Sequence, residues 1–147
     1  MMRRILHPSD FSATSTVAFK KAIDMAKSSR AQLLVAHVIS PILSVPPGDA
    51  YMSPKMYDDL AASTRAWARK QLDKLMSKAK KSGVRAKGFL LDGVPHEQIV
   101  RFAKSRRADL VVMGTHGRSG LAKLFLGSVA GRVVTAASCP VLTVKGR

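Results

Sequence analysis

Gln32-Leu33-Leu34-Val35-Ala36-His37-Val38-Ile39 is the stretch that decides the fold class. It is almost continuously apolar, without the polar alternation of a strand that has one face in water, so it reads as a strand covered on both sides. Such strands belong to parallel sheets flanked by helices. The preceding sequence fits this reading. Arg3 to His7 reads as a short strand stopped by Pro8. Ser9-Asp10-Phe11-Ser12 then supplies turn and N-cap chemistry for a helix with Ala18, Ala22, Met25 and Ala26 on its apolar face, ending near Ser28-Ser29.

The following sequence repeats the pattern. Ser40 to Pro54 carries Pro41, Pro46, Pro47, Pro54 and Gly48-Asp49 and reads as a loop. From Lys55 to Ser82, Leu60, Thr64, Trp67, Gln71 or Leu72, Leu75 and Ala79 recur at helical spacing, and Gly83 closes the helix. Val84 to Leu91 is a third strand. Asp92-Gly93 turns the chain into a short helix that begins at Pro95, buries Ile99, Val100 and Ala103, and ends near Arg106-Arg107. Asp109 to Met113 is the fourth strand, Ser128 to Ala137 a last helix, and Pro140 to Val144 a last strand. Five strands alternating with helices in 147 residues favour an open, doubly wound sheet, since a closed (β/α)₈ barrel takes about 250 residues.

Composition narrows the class. A chain of this length buries roughly 70% of its unfolded surface, so residues 1–147 read as one domain that needs no metal or disulfide staple. The lone Cys139 cannot form an internal bridge and suits a reducing compartment. Met1-Met2-Arg3-Arg4 leads into only Ile5-Leu6 before His7-Pro8, and no apolar run approaches the roughly 18 residues of a membrane span, so a cytoplasmic protein is expected. The 25 Lys and Arg against 9 Asp and Glu give a net charge of +16, which calls for an anionic partner.

Open α/β sheets bind ligands beyond the carboxyl ends of their strands, where the strand order reverses. The candidate loops are Pro8-Ser9-Asp10 after the first strand and the segment following Met113: Gly114-Thr115-His116-Gly117-Arg118-Ser119-Gly120. Gly114 and Gly117 would let the backbone approach a bulky anion. Gly127-Ser128 opens a helix whose free N–H groups and dipole suit phosphate oxygens, with the Ser128 hydroxyl as a further donor. Neither the Walker spacing nor the Rossmann fingerprint is present.

Gly114-x₂-Gly117-x₉-Gly127-Ser128 resembles the G-2x-G-9x-G-[ST] motif of ATP-binding universal stress proteins. The opening Ile5-Leu6-His7-Pro8-Ser9-Asp10-Phe11-Ser12, the segment Asp92-Gly93-Val94-Pro95, the run Ala108 to Arg118, and Cys139-Pro140-Val141-Leu142 are similar to that family too, so the resemblance spans essentially the whole chain. It implies a five-stranded parallel sheet in the order 3-2-1-4-5, helices on both faces, and ATP, with or without Mg²⁺, across the ends of strands one and four. It further implies Asp10 at the ribose or adenine, the Val38 backbone at the adenine edge, and Gly114, Gly117, Gly127, Ser128 and the Val129 amide at the phosphates. Pro8, Ser9 and Met113 border that site, and Arg118 and His116 share its loop. The resemblance also implies a homodimer through the last strand, Val141 to Val144. Gly131 stands where many members carry an acidic residue, and the charge of +16 is high for the family.

Each signal has a plainer competitor. Asp10 could merely cap the first helix, the glycines could make a tight turn, and Arg118 could be solvated. His7, His37 and His96 lack metal-ligand spacing and read as structural or solvated. Cys139 reads as a buried small hydrophobe. Gly117-Arg118-Ser119-Gly120 falls one residue short of a nucleophile elbow. Arg65, Arg69, Lys70, Lys74, Lys78 and Lys81 form a basic stripe that could meet nucleic acid, but aromatic residues are 5% of the chain, which argues against base stacking along a strand. The expectation is therefore an adenine-nucleotide binder in a stress response that hydrolyses ATP slowly at most, since Asp10 is the only carboxylate in either loop. An AMP- or cyclic AMP-preferring sensor and a basic nucleic-acid-binding module are the alternatives.

Overall fold

A computed structural model describes residues 1–41, 52–116 and 126–146. In chain order the elements are β1 (Arg4–Pro8), α1 (Ala13–Ser29), β2 (Gln32–Ile39), α2 (Pro54–Lys81), β3 (Ala86–Asp92), α3 (Pro95–Ser105), β4 (Leu110–Gly114), α4 (Ser128–Ala136) and β5 (Val141–Val144). All five strands are parallel, in the order β3-β2-β1-β4-β5.

The apolar run of β2 does what its composition requires. Leu33 and Val35 pack with Ile5, Phe19, Ala22, Ile23, Leu72 and Val112 on the face covered by α1 and α2. Leu34 and Ala36 pack with Leu6, Ile99, Phe102, Val111, Ala130 and Val133 under α3 and α4. Successive side chains of a strand point to opposite faces, so an unbroken apolar run is what a sheet between two helical layers selects.

Two expectations need correction. First, Pro8 does not stop β1 but is its last residue, opposite Ala36 of β2. The Ser9 N–H goes to the Ala36 carbonyl and the Arg4 carbonyl receives the Asp109 N–H, so odd positions of β1 turn their main-chain groups to β2 and even positions to β4. The Leu6 to Val111 register then sets position 8 against the Val112 carbonyl, where proline has no N–H to give. The His7 side chain makes up the loss: its Nδ1 donates to the Val112 oxygen at 2.8 Å. His7 is fully buried, its ring lies 5.5 Å from that of Phe19, and its Nε2 finds no partner among the described residues.

Second, Leu60 and Trp67 are not core residues. α2 buries Ala68, Leu72 and Ala79, while Leu60 and Trp67 are 41% and 40% exposed. Twenty-eight helical residues run about 42 Å, whereas the seven of β3 run about 23 Å. The helix starts at the carboxyl edge of the sheet, so its first half overhangs that edge. At the opposite edge, Asp109 Oδ2 accepts the N–H groups of Arg3 and Arg4 at 2.7 and 2.9 Å, which ties the start of β1 to that of β4 and holds the carboxyl below its usual pKa.

Burial pushes the His7 pKa down to about 4 from 6.5, so its neutral ring is the folded form. The unfolded chain binds the extra proton between those values, and stability is lost as pH falls through that window. Urea unfolding at pH 8 and pH 4.5 should show a fall roughly 2–3 kcal/mol larger in the native chain than in His7→Asn, which keeps a donor and does not titrate. Equal falls in both chains would refute this account of His7.

Candidate functional site

The first lip of the site is a turn built from serines and one carboxylate. Ser9 Oγ accepts the Phe11 N–H at 3.1 Å and the Ser15 hydroxyl at 3.0 Å. Asp10 Oδ1 accepts the Ser12 N–H at 2.9 Å, and Ser12 Oγ caps α1 through the Ser15 N–H at 3.2 Å. Asp10 is therefore not the helix cap; it forms the side-chain turn that precedes the cap, with its orientation fixed by that bond. The turn forces Phe11 into the left-handed region at φ +64°. His37, expected to be structural or solvated, braces the same turn: its Nδ1 donates to the Ser9 carbonyl at 2.7 Å and its ring stacks on Phe11 at 4.4 Å.

The second lip is the start of α4. Gly127 occupies the cap position and offers no side-chain acceptor, and its own N–H goes to the Thr115 carbonyl at 2.6 Å. The first bond inside the helix runs from the Gly131 N–H to the Gly127 carbonyl at 2.9 Å. The amides of Ser128, Val129 and Ala130 are thus the ones a helix leaves without an internal partner, at the positive end of its dipole and with no acidic side chain in the first turn. Beside them, His116 Nδ1 meets Thr115 Oγ1 at 2.8 Å, and His116 Nε2 is buried with no partner among the described residues.

A cavity of about 490 Å³ lies between the lips, within the range of roughly 300–1,000 Å³ usual for small-molecule sites. Pro8, Ser9, Asp10, Val38, Met113, Gly114, His116, Gly127, Ser128 and Val129 all line it. Gly117 and Arg118 lie outside the described residues. The wall also includes Ser15, Ile39, Ser40, Thr64, Trp67, Pro95 and Ile99, which the sequence reading did not assign to the site. Comparing the length of α2 with that of its strands would have brought Thr64 and Trp67 to this edge.

Gly114 has a reason for being glycine other than the one expected. A Cβ there would stand 2.9 Å from Thr14 Cγ2 and 3.4 Å from the Thr14 backbone, so the missing side chain first admits the start of α1 against β4. Gly146 is pressed on the same residue, since its Cβ would fall 2.6 Å from Thr14 Oγ1.

Elsewhere the basic stripe divides. Arg65 pairs with Asp92 at 2.6 Å, while Arg69, Lys70, Lys74, Lys78 and Lys81 are exposed along α2. Cys139 is half-buried beside the cluster under α3 and α4 rather than enclosed in it, and burial pushes its thiol pKa up. Among the described residues, no group of three or more His, Cys, Asp or Glu is placed to hold a metal ion, and no helix is long and apolar enough to cross a membrane.

The chain matches the Universal stress protein family over residues 1–145. It is 37% identical over 147 residues to Universal stress protein MJ0531 of Methanocaldococcus jannaschii, across 99% of this chain and 83% of that protein. Among solved structures, protein MJ0577 of the same archaeon superposes with a TM-score of 0.86 at 29% identity, covering 100% of this chain and 98% of that one. A universal stress protein in complex with cAMP superposes with a TM-score of 0.73 at 25% identity, covering 98% and 97%. The chain belongs to the universal stress protein family.

The packing at Gly114 yields a double-mutant test. Gly114→Ala should destabilise the fold by about 1–3 kcal/mol through overpacking against a stiff β-branched side chain. Thr14→Ser removes the Cγ2 methyl and should recover part of that loss when the two are combined. Additive effects in denaturant unfolding would show that the glycine is not there for Thr14.

Proposed function

We propose that the cavity binds an adenine nucleotide, with ATP the leading candidate, and that the protein serves as a nucleotide sensor or binder in a stress response. The observation carrying this reading is the row of amides at Ser128, Val129 and Ala130, without a partner inside the helix, at one end of a cavity whose opposite lip holds Asp10. The amides and the helix dipole suit phosphate oxygens. Asp10 has its Oδ1 engaged in the turn, and its carboxylate suits a ribose hydroxyl or a base donor. The Val38 main chain, at the end of β2, suits the base edge. His116, Gly117 and Arg118 are assigned to the phosphate end with Gly127, Ser128 and Val129. The family member seen with cAMP supports an adenine nucleotide as the ligand class.

Binding is favoured over turnover. Fast phosphoryl transfer calls for a metal held by carboxylates or a positioned base, and among the described residues Asp10 is the only acidic one lining the cavity. Mg²⁺, if present, would come with the nucleotide and find one carboxylate. Hydrolysis is accordingly slow at most. An AMP- or cAMP-preferring sensor is the second reading, favoured by the same cAMP-bound relative.

ATP at a hundredfold excess over its Kd should stabilise the protein by about 2.7 kcal/mol, with AMP and cAMP giving less at equal concentration; the reverse order would select the second reading. Ser128→Pro removes one amide at the helix position where proline is best tolerated, after a Gly127 already extended at φ −61° and ψ 162°. It should weaken ATP by about tenfold or more beyond Ser128→Ala, the worth of a charge-assisted hydrogen bond. Equal affinities in the two variants would rule out the amide as a ligand.

We also infer that β5 pairs with its copy in a homodimer. Pro140 and Val144 turn their carbonyls to β4, so Val141 and Thr143 turn their main-chain groups outward from this edge strand. Thr143→Pro removes only an outward N–H and should shift sedimentation from dimer to monomer with little change in monomer unfolding. A native chain that sediments as a monomer at micromolar concentration would contradict the inference.

A further inference from the structure

Three aromatic rings from three separate elements meet at one end of the cavity. Phe11, in the turn after β1, stacks on His37 of β2 at 4.4 Å with 28° between the planes. It also meets Trp67 of α2 edge-on, at 5.5 Å and 85°. His37 is tied down by its bond to the Ser9 carbonyl, and Phe11 holds a left-handed backbone that a bulky side chain adopts only when its surroundings fix it. Trp67 and His37 line the cavity, and Phe11 touches both rings without lining it. Trp67 keeps 40% of its surface exposed while the next residue of the helix, Ala68, is fully buried, because side chains one position apart point about 100° apart around α2.

The strand order places this cluster. β2 and β3 lie on one side of β1 and β4 on the other, so the end bordered by Val38, Ile39, Trp67 and Pro95 is about two strand spacings, or roughly 10 Å, from the end bordered by the α4 amides. One end offers N–H donors. The other offers apolar walls and an indole, the surface suited to the π-face of a heterocyclic base.

We propose that Trp67 is the stacking wall for the nucleotide's base, and that Phe11 is the positioning residue that holds the indole against it. This rests on the nucleotide reading above and deepens it: two fused rings cover more of an indole than one, so the wall selects purine over pyrimidine nucleotides. The wall exists because α2 overhangs the sheet and carries an indole beside its first fully buried residue, Ala68.

Trp67 is the chain's single tryptophan, so emission reports on this position alone. ATP and UTP are titrated into the full-length protein with emission and calorimetry read in parallel. Emission should change along the same isotherm as the heat of ATP binding, and ATP should bind more tightly than UTP. Trp67→Leu should weaken ATP about tenfold or more and narrow the ATP-to-UTP ratio, with Trp67→Phe in between. Phe11→Ala should weaken ATP and shift the ligand-free emission to the red, a sign of an indole released into water. If Trp67→Leu does not fold, the native emission titration and Trp67→Phe still decide. ATP heat with unchanged emission and Trp67 variants within twofold of native overturns the stacking wall and leaves the nucleotide reading standing. The absence of any ATP heat overturns both.

Discussion

Beyond Leu6 and Val111, β1 and β4 have no regular main-chain pairing to hold them together, and the bond from His7 to the Val112 carbonyl closes the sheet at the point where its winding reverses. β1 is the central strand: the chain leaves it toward β2 and β3 on one side, then crosses to β4 and β5 on the other. The connections out of β1 and β4 therefore turn away from each other and leave a crevice between their ends. Pro8 removes a main-chain donor there, and a buried imidazole supplies one in its place. This lets the chain pass from strand to turn within Pro8-Ser9-Asp10 while the sheet below stays closed.

Everything that lines the cavity is set by that divergence. The turn after β1 holds Asp10 through Ser12 and packs Phe11 on His37. Across the crevice, Thr115 links two elements: its N–H reaches Val144 at the end of β5 and its carbonyl receives the N–H of Gly127 at the start of α4. The α4 amides are thus aimed by a bond to the sheet rather than by a side-chain cap, because glycine at the cap position brings no side-chain acceptor to them. Thr14, wedged between Gly114 and Gly146, presses the start of α1 onto the carboxyl ends of β4 and β5 and so fixes the spacing of the two lips.

The cavity has a polar end and an apolar end because the sheet order separates them. α4 follows β4, while α2 follows β2 and overruns β3, so a helix N-terminus and an overhanging aromatic face arrive at opposite ends of one edge. The excess of basic residues takes little part in this. Besides Arg65, which pairs with Asp92, α2 carries seven exposed cations on its solvent side: Lys55, Arg69, Lys70, Lys74, Lys78, Lys80 and Lys81.

By itself the sequence determined what depends on neighbours within a turn or two. The apolar run of β2, the turn and cap within Ser9-Asp10-Phe11-Ser12, the Gly83 stop and the Gly127-Ser128 helix opening are local, so their bounds were legible to within a residue or two, although which of the four residues caps α1 was not. The described loop residues named from the glycine spacing do meet in one cavity, because strand-end loops of a parallel sheet share an edge whatever their separation along the chain. Only the tertiary structure decided the rest. His7 and Val112 are 105 positions apart, and nothing near His7 announces that Pro8 faces the one carbonyl it cannot serve. That Gly114 also makes room for Thr14 was not legible, because Thr14 is a hundred positions upstream. Trp67 was counted in the apolar repeat of α2, but the buried face is the one that carries Ala68, Leu72 and Ala79; which face meets the sheet, and how far the helix outruns the strands beneath it, is decided by packing.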